Sequence, residues 1–107
     1  GGEDTERQAF MTFWLSRITE AVIEVYVSRI LTIPVLGPSG CSQLVCDVGY
    51  LSSILKTLGA PDTCKLADVS KLLEASEEDL PQACVACEAL GRDGIEKLTR
   101  KRRAWSA

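Results

Sequence analysis

From residue 3 to residue 31 apolar side chains recur at helical spacing, and neither Pro nor Gly interrupts them. Arg17, Glu20, Glu24 and Ser28 form one polar stripe. Phe10, Met11, Trp14, Leu15, Ile18, Val22, Val25 and Tyr26 occupy most of the remaining circumference. Acids fall early (Glu3, Asp4, Glu6) and Arg29 falls late, which suits the helix dipole. The pattern predicts one long helix. An apolar face this wide normally packs on two sides, more than a small bundle provides. An exposed apolar patch that includes at least one of the aromatics Phe10, Phe13, Trp14 and Tyr26 is therefore expected.

The run Ile33-Pro34-Val35-Leu36-Gly37-Pro38 reads as a corner. Pro34 pushes Ile33 out of the helical region, and Pro38 suits the first position of a second helix capped by Gly37. Cys41, Leu44, Val48, Leu51, Leu55 and Leu58 then alternate at three and four residues, a buried seam. Ser42, Cys46, Gly49 and Ser53 make a small-residue face opposite. Gly59 suits a helix stop, followed by Pro61. Because the corner is short, the first two helices are expected to pack antiparallel, with Ile18, Val22 and Val25 facing Leu44, Val48 and Leu51.

A short third helix is predicted over 62–75, with Leu66, Val69, Leu72 and Leu73 inward. Ser76-Glu77-Glu78-Asp79 resembles a capping signal, although Pro81 would remove a hydrogen bond if it stood inside a helix. A fourth helix is therefore predicted from Asp79 or Leu80 to Leu90, broken by Gly91-Arg92-Asp93-Gly94. A last segment runs from Ile95 to about Arg103, with Ile95, Leu98 and Trp105 on one side. There is no strand pattern and no internal repeat. The fold class is all-α: a small antiparallel bundle of four or five helices, one domain over 1–107. The opening Gly1-Gly2, with helical pattern starting at once, reads as a piece of a larger protein or a chain carrying a tag.

With 46% hydrophobic and 25% charged residues the composition is that of an ordinary folded chain. The formal charge of −3 hides an asymmetry: residues 61–96 carry nine acids and three bases, whereas 97–107 carry five bases and no acid. Lys97, Arg100, Lys101, Arg102 and Arg103 are thus the one strong charge feature. They fit an acidic partner, an anionic membrane or a solvated helix end. Nucleic acid is disfavoured, because the cluster lacks interleaved aromatics and any recognisable module. No apolar run reaches the roughly 18–20 residues of a membrane span.

Catalytic chemistry has no visible agent. The chain has no His, no paired acid and base and no phosphate loop, so neither an enzyme nor a small-molecule substrate is expected. Asp47 and Tyr50 share a helix face and can bond across a helix contact, nothing more. Cys84-Val-Ala-Cys87 has the form of a redox pair or half a zinc site. Zinc would require a second pair or histidines, and a redox pair a βαβ setting. The reading that fits best places Leu80, Cys84, Cys87 and Leu90 on one helical stripe, with the thiols as small buried hydrophobes. Cys41 and Cys46 point about 140° apart on their helix. All five cysteines are expected reduced, with no metal and no cofactor; a cysteine-metal protein is the competing class.

In order and spacing, Trp14-Leu15, Tyr26, Ile30-Leu31-Thr32-Ile33-Pro34-Val35-Leu36-Gly37-Pro38, Gln43-Leu44, Asp47, Tyr50-Leu51 and Leu58-Gly59 resemble the C-terminal region of the seventh subunits of the conserved oligomeric Golgi complex, a vesicle-tethering assembly. The resemblance spans roughly residues 13–80, with Leu72-Leu73, Glu78-Asp79 and Gln82 as a weaker extension. The last 25 residues have no counterpart in it. It implies a terminal bundle of a longer helical rod, placed peripherally on the cytosolic face of the Golgi membrane. It implies no enzymatic activity, other subunits of the complex as partners, and support of intra-Golgi retrograde transport. Partner-binding candidates read from the residues are Phe10, Phe13, Trp14 and Tyr26, together with the basic cluster. The competing function is an independent helical adaptor that docks through the basic tail.

Overall fold

The computed structural model describes residues 2–60 and 63–106. Pro61, and with it the expected start of the third helix at Asp62, lies outside them. Among the described residues there are five helices and no strand: α1 Gly2–Leu31, α2 Pro38–Thr57, α3 Cys64–Glu74, α4 Leu80–Ala86 and α5 Gly91–Ser106. The molecule is an elongated all-α bundle of 61 × 23 × 19 Å.

The helix ends follow local chemistry. After Leu31 the N–H groups of Thr32 and Ile33 turn back to the carbonyls of Arg29 and Ile30 (3.1 Å each), and Pro34 ends the series because it has no N–H. Gly37 is the N-cap of α2 and Pro38 its first residue. At the other end Gly59 (φ +85°) lets its own N–H reach the Lys56 carbonyl at 2.9 Å, while Ala60 N–H reaches the Leu55 carbonyl at 2.9 Å. This pair of bonds is a Schellman motif, and its left-handed residue strongly favours Gly. Pro81 lies in the first turn of α4, where a missing N–H costs nothing.

The core centres on α3, which touches all four other helices. Leu66, Val69, Leu72 and Leu73 are buried as expected, and Val48, Leu55, Ile23, Ile30, Leu36, Leu80 and Leu98 close around them. On α2 the seam Cys41, Leu44, Val48, Leu51 and Leu55 faces inward, but Leu58 is exposed. It is the helix's C-cap, where the chain has already turned outward. Leu36 is held by its N–H on the Lys101 carbonyl (3.1 Å). A Cβ added to Gly37 would lie 2.7 Å from the Trp105 ring, so the indole rests on the corner while remaining largely exposed.

Two expectations are corrected. α1 and α2 do run in opposite directions, since Gly59, beyond the far end of α2, meets the Leu15 side chain. They do not, however, pack along each other as expected, with Ile18, Val22 and Val25 against Leu44, Val48 and Leu51: all three α1 residues are exposed, and α1 packs on α3 and α5. The inner side of α1 is Thr19, Ile23, Tyr26 and Ile30, rotated by one residue, about 100°. α2 packs most closely on α3 instead. A helix with two apolar stripes offers two seams, and the position of α3 selects between them.

The fourth helix, expected to reach Leu90, stops at Ala86, and the Gly91–Gly94 stretch opens α5 instead of breaking the chain. The link between them is pinned to α3. Asp68, buried, accepts the Leu90 N–H through Oδ2 (3.1 Å), and the Cys87 thiol lies 3.6 Å from the Asp68 carbonyl. Gly91 adopts φ +82°, and a Cβ at buried Gly94 would meet Leu90 Cγ at 2.9 Å. Glycine is required there because the chain doubles back tightly. The stripe proposed for Leu80, Cys84, Cys87 and Leu90 is thus only partly helical.

Candidate interaction surface

Residues 2–14 of α1 carry no buried or half-buried side chain. The first half of this 30-residue helix therefore projects past the bundle. Three aromatics cluster on it. The Phe10 and Trp14 rings meet edge-on at 6.1 Å, Phe13 and Trp14 at 6.3 Å, and the Arg17 guanidinium sits 5.9 Å from the Phe13 centroid. Edge-to-face pairs contribute about 0.5–1.5 kcal/mol each, enough to bias the rings toward one arrangement on the helix surface. Phe10, Phe13 and Trp14 are each more than half exposed, and Met11, Ile18, Val22 and Val25 extend the apolar surface toward the bundle. The chemistry available here is burial of apolar area.

Tyr26 does not join this cluster. It is half-buried against the core, and its phenol is pushed up from 10.0 by burial first and by the negative charge of Asp47 second. The basic cluster also divides. Lys97 pairs with Asp93 at 3.0 Å one turn earlier, an exposed ion pair of small worth. Arg102 is half-buried and donates from Nη1 to the Leu72 carbonyl at 2.7 Å, so it caps the C-terminal end of α3. The half-buried Lys101 supplies the carbonyl that holds Leu36. Lys97, Arg100 and Arg103 are the exposed members of the cluster. The roles of Arg102 and Asp68 escaped sequence reasoning. An acid two residues from Leu66 and beside Val69, within the inward arc of α3, was the available signal for Asp68.

Between the start of α2, the α3–α4 link and the end of α5 lies an open groove, lined in part by Cys41, Cys46, Cys84, Leu80, Pro81 and Trp105. Cys41, Cys46, Cys84 and Cys87 are free thiols. Cys41 and Cys87 are buried, and burial is the main cause raising both thiols above 9.0. The Arg102 charge opposes the shift at Cys41, whereas the Asp68 charge adds to it at Cys87. Raised thiols make poor nucleophiles at neutral pH. Among the described residues no three His, Cys, Asp or Glu side chains are grouped to hold a metal ion.

The sequence has known relatives. The sequence profile of the family described as Golgi complex component 7 (COG7) matches residues 1–103. Conserved oligomeric Golgi complex subunit 7 of Bos taurus is 34% identical over 82 residues, which cover 77% of this chain and 11% of the bovine protein. The Homo sapiens subunit 7 is 33% identical with the same coverage. The Arabidopsis thaliana subunit 7 is 29% identical over 97 residues, covering 78% of this chain and 12% of its own length. The chain therefore spans about a tenth of the length of the curated relatives it matches. No solved structure matches it. This chain belongs to the Golgi complex component 7 family.

Proposed function

We propose that this chain is a non-enzymatic packing domain from the C-terminal region of a Golgi vesicle-tethering subunit, and that it helps hold sister subunits together during intra-Golgi retrograde transport. Family membership supports the assignment to the complex. The observation that carries the mechanism is the exposed aromatic cluster Phe10, Phe13 and Trp14 on the projecting half of α1, an arrangement typical of interface anchors. Among the described residues no helix is long and apolar enough to cross a membrane, which is compatible with peripheral residence on the cytosolic face of the Golgi.

Pull-down of sister subunits by the full-length protein tests this. Trp14→Ala should reduce recovery strongly, because a buried aromatic anchor carries about 2 kcal/mol or more. Arg100→Ala with Arg103→Ala should leave it nearly intact. Arg102 is unsuitable as the charge control because its loss uncaps α3. The competing adaptor role, docking through the basic tail, requires the reverse order and a strong salt dependence; that outcome would overturn the packing role.

A further inference from the structure

Resting on the packing role just proposed, we infer that the end of α5 is a strap that fixes the elbow between α1 and α2 and so aims the projecting half of α1, with Trp105 as the positioning residue and Gly37 as its seat. The elbow has little to hold it by itself. Pro34 and Pro38 lack an N–H, and the bonds of Thr32 and Ile33 run back into α1. Among the described residues, the one main-chain bond that ties residues 32–37 to a distant part of the chain is Leu36 N–H to the Lys101 carbonyl at 3.1 Å.

One turn further along α5 the Trp105 indole lies on Gly37. A Cβ added there would stand 2.7, 2.8 and 2.9 Å from three atoms of the ring. The backbone does not ask for glycine at this position: φ is −87° and ψ 175°, extended geometry that any residue adopts. It is the ring that needs the space. α5 in turn is fixed to the bundle, because Leu98 is fully buried and Arg102 is bonded to the Leu72 carbonyl.

Leverage makes the elbow matter. Phe10, Phe13 and Trp14 are centred about 19 positions, or ~28 Å along the helix, from the end of α1 at Leu31. A tilt of about 10° at the elbow would swing them by about 5 Å over that length. Backbones at preorganised interfaces ordinarily shift by about 1 Å or less. The grip of the bundle on α1 itself begins only at Leu15. Near that outer end it includes Thr19, whose buried hydroxyl has no partner among the described residues. The outer seat is the weaker one, so the elbow governs direction.

The test uses the full-length subunit co-expressed with its sister subunits. Trp105→Ala removes the ring, and Gly37→Ala evicts it, since an indole 60% exposed can swing out. Each should speed hydrogen exchange of the peptide over residues 32–40 by about five-fold or more and leave that of α3 unchanged. Each should also lower recovery of sister subunits several-fold. The double variant should lower it no further than the worse single one, because both changes remove the same contact. Asp68→Ala is the control for lost stability: it strips a buried bond beside the other end of α5. Recovery with it should stay within about two-fold of wild type, as expected for a site remote from the elbow. Unchanged exchange over 32–40 in Trp105→Ala overturns the strap. So do additive losses in the double variant. Recovery that falls as far with Asp68→Ala as with Trp105→Ala overturns it too, because stability and not direction would then be the cause. If Trp105→Ala loosens the elbow without lowering recovery, the aiming role falls, while a loss with Trp14→Ala keeps the packing role. If neither variant lowers recovery, the packing role falls as well.

Discussion

Removing Arg102 asks whether a member of an apparent charge cluster is in fact a helix cap. Its Nη1 donates at 2.7 Å to the carbonyl of Leu72, 30 residues away, and Leu72 is 0% exposed. That carbonyl is one of the last four of α3, which have no partner within the helix. A hydrogen bond from a charged donor is worth about 1.5–3 kcal/mol. Arg102 is only half-buried, so water replaces part of the bond, and the low end of the range applies. Arg102→Ala should therefore destabilise the domain by about 1.5 kcal/mol and lower its melting temperature by roughly 6–10 °C for a chain of this size. Arg103→Ala, one residue on and exposed, should stay within about 0.5 kcal/mol of wild type. Thermal unfolding followed by circular dichroism at low and high salt provides the measurement. Equal effects of the two substitutions would refute the cap. So would an Arg102→Ala defect that vanishes at high salt, which would betray a screened surface charge and not a bond.

Three further outcomes follow from buried polar groups. Thr19 is 2% exposed, and among the described residues its hydroxyl has no hydrogen-bond partner. Thr19→Val keeps the shape and removes a buried orphan, so it should stabilise by about 1 kcal/mol; a lowered melting temperature would mean the hydroxyl is bonded. Asp68→Ala strips the Leu90 N–H of its acceptor and should cost about 1–3 kcal/mol, whereas Asp68→Asn retains an acceptor and should cost clearly less in urea unfolding. If both cost the same, the carboxylate charge and not the bond is what matters. Cys41, Cys87 and Tyr26 are all shifted upward, from 9.0, 9.0 and 10.0. Above about pH 9 the unfolded chain loses these protons first, so ν_U falls below ν_N and stability declines with rising pH. Urea midpoints that hold steady from pH 8 to pH 10.5 would contradict this, as would alkylation of Cys41 or Cys87 in native protein as fast as that of the exposed Cys46.

Much of the structure was legible in short stretches of sequence. The span of α1, the Pro34–Pro38 corner, the Gly59 stop and the inward stripe of α3 depend on interactions within a turn or two. Dihedral limits, missing N–H groups and left-handed glycines act locally, and the residues that impose them are visible in the letters. The aromatic surplus on α1 was legible for the same reason: an apolar arc wider than one groove shows in the periodicity. Which of the two α1 stripes the bundle would cover was not legible, since both have helical spacing and differ only by a rotation of about 100°. That choice belongs to α3, more than thirty residues later in the chain. The α4–α5 boundary likewise turned on Asp68 and on the tight approach of Gly94 to Leu90, contacts that override the helix-breaking tendency of glycine. Arg102 looked equivalent to Arg100 and Arg103 until α5 docked and set one guanidinium against the end of α3. Local chemistry determined where helices begin and end. Only packing between distant segments decided which face is inside and which charge is structural, because burial depends on what lies opposite.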